Sequence, residues 1–267
     1  MKILAVDFDG VISDSALKSL FVSHNAYCQY FGSEVKRNFG GELFTFENWE
    51  EMKRQYKKEM DDYHRLRSYI ELSGDFFAII KILEEQVQIN DQQEFIAYRN
   101  QFQFDYQFFR ELFFEEKEKW QKKSFKKWFF LSPVFKEVVK GIQRFTKEGQ
   151  KVVIATSNRR EAIHRGFQPE YLGCKVDIED IFDKNFGKHK AEHMQAIAKK
   201  YGAKLNEIYF IDDQLSYLIG TDVLGVHVFL AGWGYCTESQ KEEAKKEQIL
   251  IIEDEKDFYP VLKQALS

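Results

Sequence analysis

Lys2-Ile3-Leu4-Ala5-Val6-Asp7-Phe8-Asp9-Gly10-Val11 is an apolar run that breaks into Asp-x-Asp-Gly. The run lacks the alternation of a half-exposed strand, so it reads as a strand covered on both faces by helices. Gly10 lets the chain turn sharply after it. Residues i and i+2 of a strand point the same way, so Asp7 and Asp9 can face one centre if extended geometry persists to position 9. Two carboxylates that close repel unless a cation lies between them, and a divalent metal is the economical solution. An acidic strand end capping a loop would look the same in isolation, so the rest of the chain has to decide.

The remaining strands lie in the second half of the chain. Ser132-Pro133 has the residues of a helix start, and Val134, Val138, Ile142 and Phe145 recur at helical spacing toward Lys147, with Gly149 where a left-handed cap is favoured. A strand over 151–155 then ends at Thr156-Ser157-Asn158. A helix near Ala191 to Tyr201 leads to a strand over 208–211 that ends at Asp212-Asp213, and a further apolar strand covers 226–230. This alternation predicts an α/β fold with a Rossmann-like parallel sheet flanked by helices, whose ligands bind beyond the carboxyl ends of the strands. From about Ser13 to Phe130 the pattern is helical instead, as in Met52, Tyr56, Met60 and Tyr63, and rich in aromatic residues. The expected organisation is therefore a core from residues 1–13 and 131–267, with an inserted α-helical domain over 14–130.

Composition narrows the function. The 267 residues are 44% hydrophobic, enough for a sizeable core, and the net charge of -4 argues against wholesale nucleic-acid binding. Cys28, Cys174 and Cys236 are odd in number and widely spaced, so neither a disulfide framework nor a zinc site is expected. The first acidic residue arrives at position 7, which leaves no signal-peptide apolar region, and no run is long enough to span a bilayer; a cytoplasmic address without membrane contact is the expectation.

Asp7-Phe8-Asp9-Gly10-Val11, Val153-Ile154-Ala155-Thr156, a lysine at 188 or 190, and Ile211-Asp212-Asp213 together resemble, in order and spacing, the four motifs of the haloacid dehalogenase superfamily. The resemblance covers the first strand and nearly all of the chain after Leu131. The stretch from Gly225-Val226 to Gly232-Trp233-Gly234-Tyr235 is similar to the last core strand of phosphoglycolate-phosphatase-like members, and the helical insertion resembles a C1 cap by position. It implies a mobile cap, Mg²⁺ dependence and phosphatase activity on a small phosphorylated metabolite. Asp7 would be the nucleophile that forms an aspartyl-phosphate, and Asp9 the acid and base. Members that act as dehalogenases lack the second aspartate, so its presence favours ester hydrolysis.

By the same resemblance, Mg²⁺ would be held by Asp7, the backbone carbonyl of Asp9, and Asp212, with Asp213 in support. Thr156, with Ser157 and Asn158 beside it, would bind phosphate where the strand gives way to a helix, although ordinary helix capping suits these residues as well. The motif lysine is Lys190 if it opens the helix, as in phosphoserine-phosphatase-like forms, or Lys188 by phosphoglycolate-phosphatase-like spacing. His189 and His193 have i, i+4 spacing but no accompanying glutamate, so a solvated helix start is expected there. In the insertion, Phe125, Trp128 and Phe129 with Lys122, Lys123, Lys126 and Lys127 read as an amphipathic helix; Glu115, Glu116 and Glu118 would weaken any field for nucleic acid. Arg65, Arg67 and Gly74-Asp75 could contact substrate, though a solvent-facing helix and loop is the plainer expectation. Two alternatives stand beside the phosphatase: a sugar-phosphate phosphomutase, and a non-catalytic binding or regulatory protein on the same scaffold.

Overall fold

The computed structural model describes residues 1–32, 38–102, 105–187 and 189–267. Among the described residues, strand β1 (Ile3–Val6) is followed by seven α-helices: α1 (Ala16–Phe31), α2 (Trp49–Gln55), α3 (Lys57–Leu66), α4 (Asp75–Glu85), α5 (Gln92–Arg99), α6 (Tyr106–Lys123) and α7 (Phe125–Phe130). Strands and helices then alternate through α8 (Lys136–Lys147), β2 (Lys151–Ala155), α9 (Arg160–Gly166), β3 (Ile181–Phe182), α10 (Lys190–Tyr201) and β4 (Ile208–Asp212). The chain ends with α11 (Leu215–Asp222), β5 (His227–Ala231), α12 (Glu238–Lys246), β6 (Leu250–Ile252) and α13 (Phe258–Leu266). It divides into two compact units, Met1–Asp14 with Pro133–Ser267, and Ser15–Ser132.

The first unit holds a six-stranded parallel sheet in the order β3-β2-β1-β4-β5-β6, the α/β arrangement expected from the continuous apolar runs. Every residue of β1 is fully buried. One face packs Ile3, Ala5, Val153 and Phe210 with Met194, Ile197 and Leu218 from the helices. The alternate residues Leu4, Val6, Val152 and Ile154 are buried as well, and on α8 and α13 Phe145 and Phe258 meet edge to face at 6.2 Å. Val6 pairs with Ile154 on one side and Ile211 on the other, so β2, β1 and β4 end in step. The chain winds outward from β1 through β2 to β3 and returns to β4 on the other side. The switch point of the sheet, where open α/β folds bind ligands, is therefore the cleft between β1 and β4.

Helix α8 begins at Lys136, not at Ser132-Pro133. Val134 pairs with Ser13, and the N–H of Phe135 donates to Ile12 O at 3.0 Å, so pairing with the segment after β1 overrides the local capping preference.

Among its described residues the second unit holds helices joined by loops and no strand. Phe21 of α1 stacks on Phe44 at 4.2 Å and on Trp120 of α6 at 5.6 Å. Glu116, buried among them, accepts hydrogen bonds from Asn25 Nδ2 (3.0 Å), Gln29 Nε2 (2.9 Å) and Trp120 Nε1 (3.0 Å), the satisfaction a buried carboxylate requires. Three expectations change here. The Met52–Tyr63 helix breaks at Tyr56, and the basic aromatic helix breaks at Ser124, whose hydroxyl caps α7 by accepting from Lys127 N. Lys18 Nζ lies over Trp128 and Phe129, and Lys123 and Lys127 lie over Phe46, so these cations rest on aromatic faces. Gly74-Asp75 is buried, contrary to the solvent-facing expectation. Asp75 accepts from Glu71 N and Leu72 N and pairs with Arg99 at 3.1 Å, while the exposed Arg65 donates to Ile89 O. The three cysteines are free.

Candidate active site

Asp7 immediately follows β1, and its N–H donates to Ile211 O at 3.0 Å, extending the ladder to β4 by one step. The chain then closes a tight turn in which Ile12 N and Ser13 N both donate to Phe8 O, and Gly10, at φ +85°, donates to Ser13 O. Phe8 is buried edge to face against Phe167, while Asp7 and Asp9 flank it.

Lys190 opens α10 and is 6% exposed. Its Nζ donates to Asp7 Oδ1 at 2.5 Å and to Ala155 O at 2.7 Å, and stands 3.0 Å from Asp212 Oδ2. The ammonium thus sits across the ends of β2, β1 and β4. Lys188 lies outside the described residues. Asp212, fully buried, accepts from Gln214 N through Oδ1, while its Oδ2 is paired by charge to Lys190 without hydrogen-bond geometry. Asp213 accepts from Tyr235 N at 3.0 Å. A Cβ on Gly10 would fall 2.4 Å from Asp213 Cγ, and one on Gly234 would fall 2.4 Å from Asp213 Cβ. Both glycines are needed for the Asp-x-Asp-Gly turn and the Gly232–Gly234 loop to close around that carboxylate.

Oxygen atoms of Asp7, Asp212 and Asp213 all lie within 4.8 Å of one another. Three carboxylates against one ammonium leave a deficit of two positive charges. The donors are hard oxygens, and one of them, Asp212 Oδ2, is buried without a hydrogen bond, so the residues present fit a divalent, oxygen-seeking cation. The charge imbalance is felt at Asp7. Burial pushes its carboxyl well above the usual range, Lys190 pulls it down, and Asp212, Asp213 and Asp9 push it up again. For Lys190, burial favours the neutral amine, but Asp212 and Asp7 outweigh it and hold the ammonium charged.

Thr156, at the end of β2, is fully buried; its N–H donates to Phe182 O, and its Oγ1 accepts from Asn158 N at 3.1 Å. Asn158 Nδ2 donates to Asp9 Oδ2. Ser157 is exposed, with no contact to this cluster among the described residues. His189 is exposed, whereas His193 is buried and bonded to Gly187 O at 3.3 Å, so the solvated helix start expected for both holds only for the first. Burial, followed by the Lys190 charge, holds His193 neutral with its pKa near 4. Sequence reasoning missed the tie from Tyr235 to Asp213 and that from Trp233 Nε1 to Val11 O (3.2 Å). The signal was present in Gly232-Trp233-Gly234-Tyr235, which bends back over the turn after β1.

The haloacid dehalogenase-like hydrolase family matches residues 1–216 of the chain. The chain belongs to that family. Among solved structures, this hydrolase is similar to a candidate phosphoglycolate phosphatase from Lactobacillus delbrueckii subsp. bulgaricus (TM-score 0.65, 12% identity, 100% of this chain and 99% of that one). It is also similar to a hydrolase from Pseudomonas syringae (TM-score 0.57, 18% identity, 100% of each chain) and to a candidate beta-phosphoglucomutase from Thermotoga maritima (TM-score 0.54, 16% identity, 100% of each chain). At these identities the likeness is one of fold. No curated protein matches the sequence. No helix among the described residues is long and apolar enough to cross a membrane.

Proposed function

We propose that this haloacid dehalogenase-like hydrolase is a Mg²⁺-dependent phosphatase acting on a small phosphomonoester. The observation that carries the reading is the Lys190 ammonium held between Asp7 and Asp212 at the switch point of the sheet, beside a third carboxylate. An anionic phosphoryl group entering such a cluster needs both a fixed cation and a divalent one to meet its charge. Asp7, Asp212, Asp213 and the Asp9 carbonyl are the groups that would hold Mg²⁺, which when bound supplies neutralisation of the phosphoryl oxygens.

In this reading an Asp7 oxygen attacks phosphorus, the bond to the leaving oxygen breaks, and Asp9 gives that oxygen its proton. Water then attacks phosphorus of the aspartyl-phosphate and gives its proton to Asp9, which restores both carboxyls and releases inorganic phosphate. Lys190 orients Asp7 and offsets the charge that gathers around it. The Thr156 hydroxyl accepts from Asn158 N, which leaves its own hydrogen to donate to a phosphate oxygen. The helical unit, by the same reading, serves as the cap domain that selects the leaving group.

The test is inorganic phosphate release from a panel of phosphometabolites, with Mg²⁺ or with EDTA, for wild type and Asp7→Asn. Metal-dependent release that vanishes in a folded Asp7→Asn supports the reading, and undiminished turnover in that variant ends it. An isomeric phosphate without inorganic phosphate would identify a phosphomutase instead.

A further inference from the structure

We infer that Asn158 is a positioning residue for Asp9, fixing which carboxyl oxygen carries the proton that moves to and from the leaving group. The inference rests on the phosphatase reading and assigns Asn158 a role other than binding phosphate.

The geometry is local and closed. Asn158 is 8% exposed, in the turn between β2 and α9, and its backbone N–H donates to Thr156 Oγ1 at 3.1 Å. Its side-chain Nδ2 donates to Asp9 Oδ2 and lies 3.5 Å from Thr156 Oγ1. The amide is thus anchored at both ends, and its donors face acceptors on the protein rather than the space a phosphate would enter. Against an ionised Asp9 the opposite amide orientation would set two oxygens against each other, and this assigns the nitrogen to Asp9.

An amide N–H seeks a lone pair. Held against Oδ2, it makes that oxygen the standing acceptor and leaves Oδ1 as the oxygen that carries hydrogen. When Asp7 forms its bond to phosphorus, the bond to the leaving oxygen breaks and the proton passes from Asp9 Oδ1 to that oxygen. The water that later attacks phosphorus returns a proton to the same oxygen. Without Asn158 the carboxyl can rotate about its χ2 torsion, a broad two-fold well, and present either oxygen or neither. The loss should therefore be felt in proportion to the need for a proton, unlike the loss of a phosphate ligand, which weakens all esters alike.

The experiment compares p-nitrophenyl phosphate, whose phenolate leaves without protonation, with an alkyl phosphate, whose alkoxide requires it, both with saturating Mg²⁺. Wild type, Asp9→Asn, Asn158→Ala and the similarly shaped Asn158→Leu are assayed for kcat and KM. Asn158→Ala should lose about 10- to 100-fold in kcat/KM on the alkyl ester and less than about threefold on the aryl ester, part of the span typical of general acids, because kcat/KM reports the step in which the leaving group departs whereas the later attack of water is shared by both esters. Asp9→Asn should show the same selectivity more strongly. If Asn158→Ala does not fold, Asn158→Leu carries the test, since it keeps much of the shape and removes the donor without adding a charge. Equal losses in kcat/KM on both esters overturn the inference while leaving the phosphatase reading in place. Silence of folded wild type on both esters removes the reading and the inference together.

Discussion

Removing a charge from the carboxylate cluster should make the metal-free protein more stable and less responsive to Mg²⁺. Asp213 is the cleanest place to do so, because its substitution leaves the Lys190 pairs with Asp7 and Asp212 in place. With Lys190 offsetting one of the other two carboxylates, Asp213 faces a net charge of about one at no more than 4.8 Å. At an effective dielectric of about 20, that repulsion is about 3.5 kcal/mol. An asparagine keeps an acceptor for Tyr235 N at roughly 1 kcal/mol less than the charge-assisted bond. The expected gain for Asp213→Asn is therefore about 2.5 kcal/mol, or about 5 to 10 °C in the transition of the sheet-containing unit.

The measurement is thermal unfolding in EDTA at low salt and at pH 8, since burial raises the Asp7 carboxyl and proton uptake at lower pH would relieve part of the same repulsion. A carboxyl with a raised folded pKa costs stability as pH climbs above its ordinary value, so the gain should shrink toward acid. Addition of Mg²⁺ reverses the order. Wild type gains about 2.7 kcal/mol at 100 times its Kd, and the variant much less. A lower midpoint for Asp213→Asn in EDTA, with no response of wild type to Mg²⁺, would refute the reasoning and make the cluster a hydrogen-bonded strut.

Lys190→Met removes the buried cation while keeping the stem, and should lower phosphate release by about 100-fold or more; retained turnover would show that the ammonium is not needed at the reaction centre. His24, buried in the helical unit with its ring bonded to Glu42 O, has its pKa lowered by burial to about 4 from about 6.5. Its neutral form stabilises the fold fully above pH 6.5, and that contribution, about 3 kcal/mol, is lost as pH falls from 6.5 toward 4. Urea midpoints of wild type and His24→Gln at pH 7.5 and 4.5 should therefore converge toward acid, and parallel profiles would contradict the assignment. Asp75→Ala strands the Glu71 and Leu72 N–H groups and the Arg99 guanidinium, and should cost about 2 to 4 kcal/mol in a urea titration; a change below about 0.5 kcal/mol would mean that water replaces the carboxylate.

What the sequence showed of this fold follows from how much each segment buries. Strands β1, β2, β4 and β5 are covered on both faces and stand out as continuous apolar runs, so their positions were legible to within a residue. Strand β3 has two residues and β6 has three, with Leu250 half-exposed at the edge, and neither has enough buried length to produce a pattern. The start of α8 was misread for a different reason: a strong local cap signal lost to pairing with residues more than a hundred positions away. The same division runs through the site. Asp7, Lys190 and Asp212 could be nominated because each sits at the end of a strand or the start of a helix, where spacing in sequence maps directly onto spacing in the sheet. The contacts of Asn158 with Asp9, and of Asp213 with Tyr235 beneath Gly10 and Gly234, join separate turns, and no periodicity encodes which face of a turn a side chain takes. In this molecule, spacing along the chain locates the charges, while the turns orient them. The specificity of the chemistry should therefore respond more sharply to Asn158 than the apolar strand pattern alone would suggest.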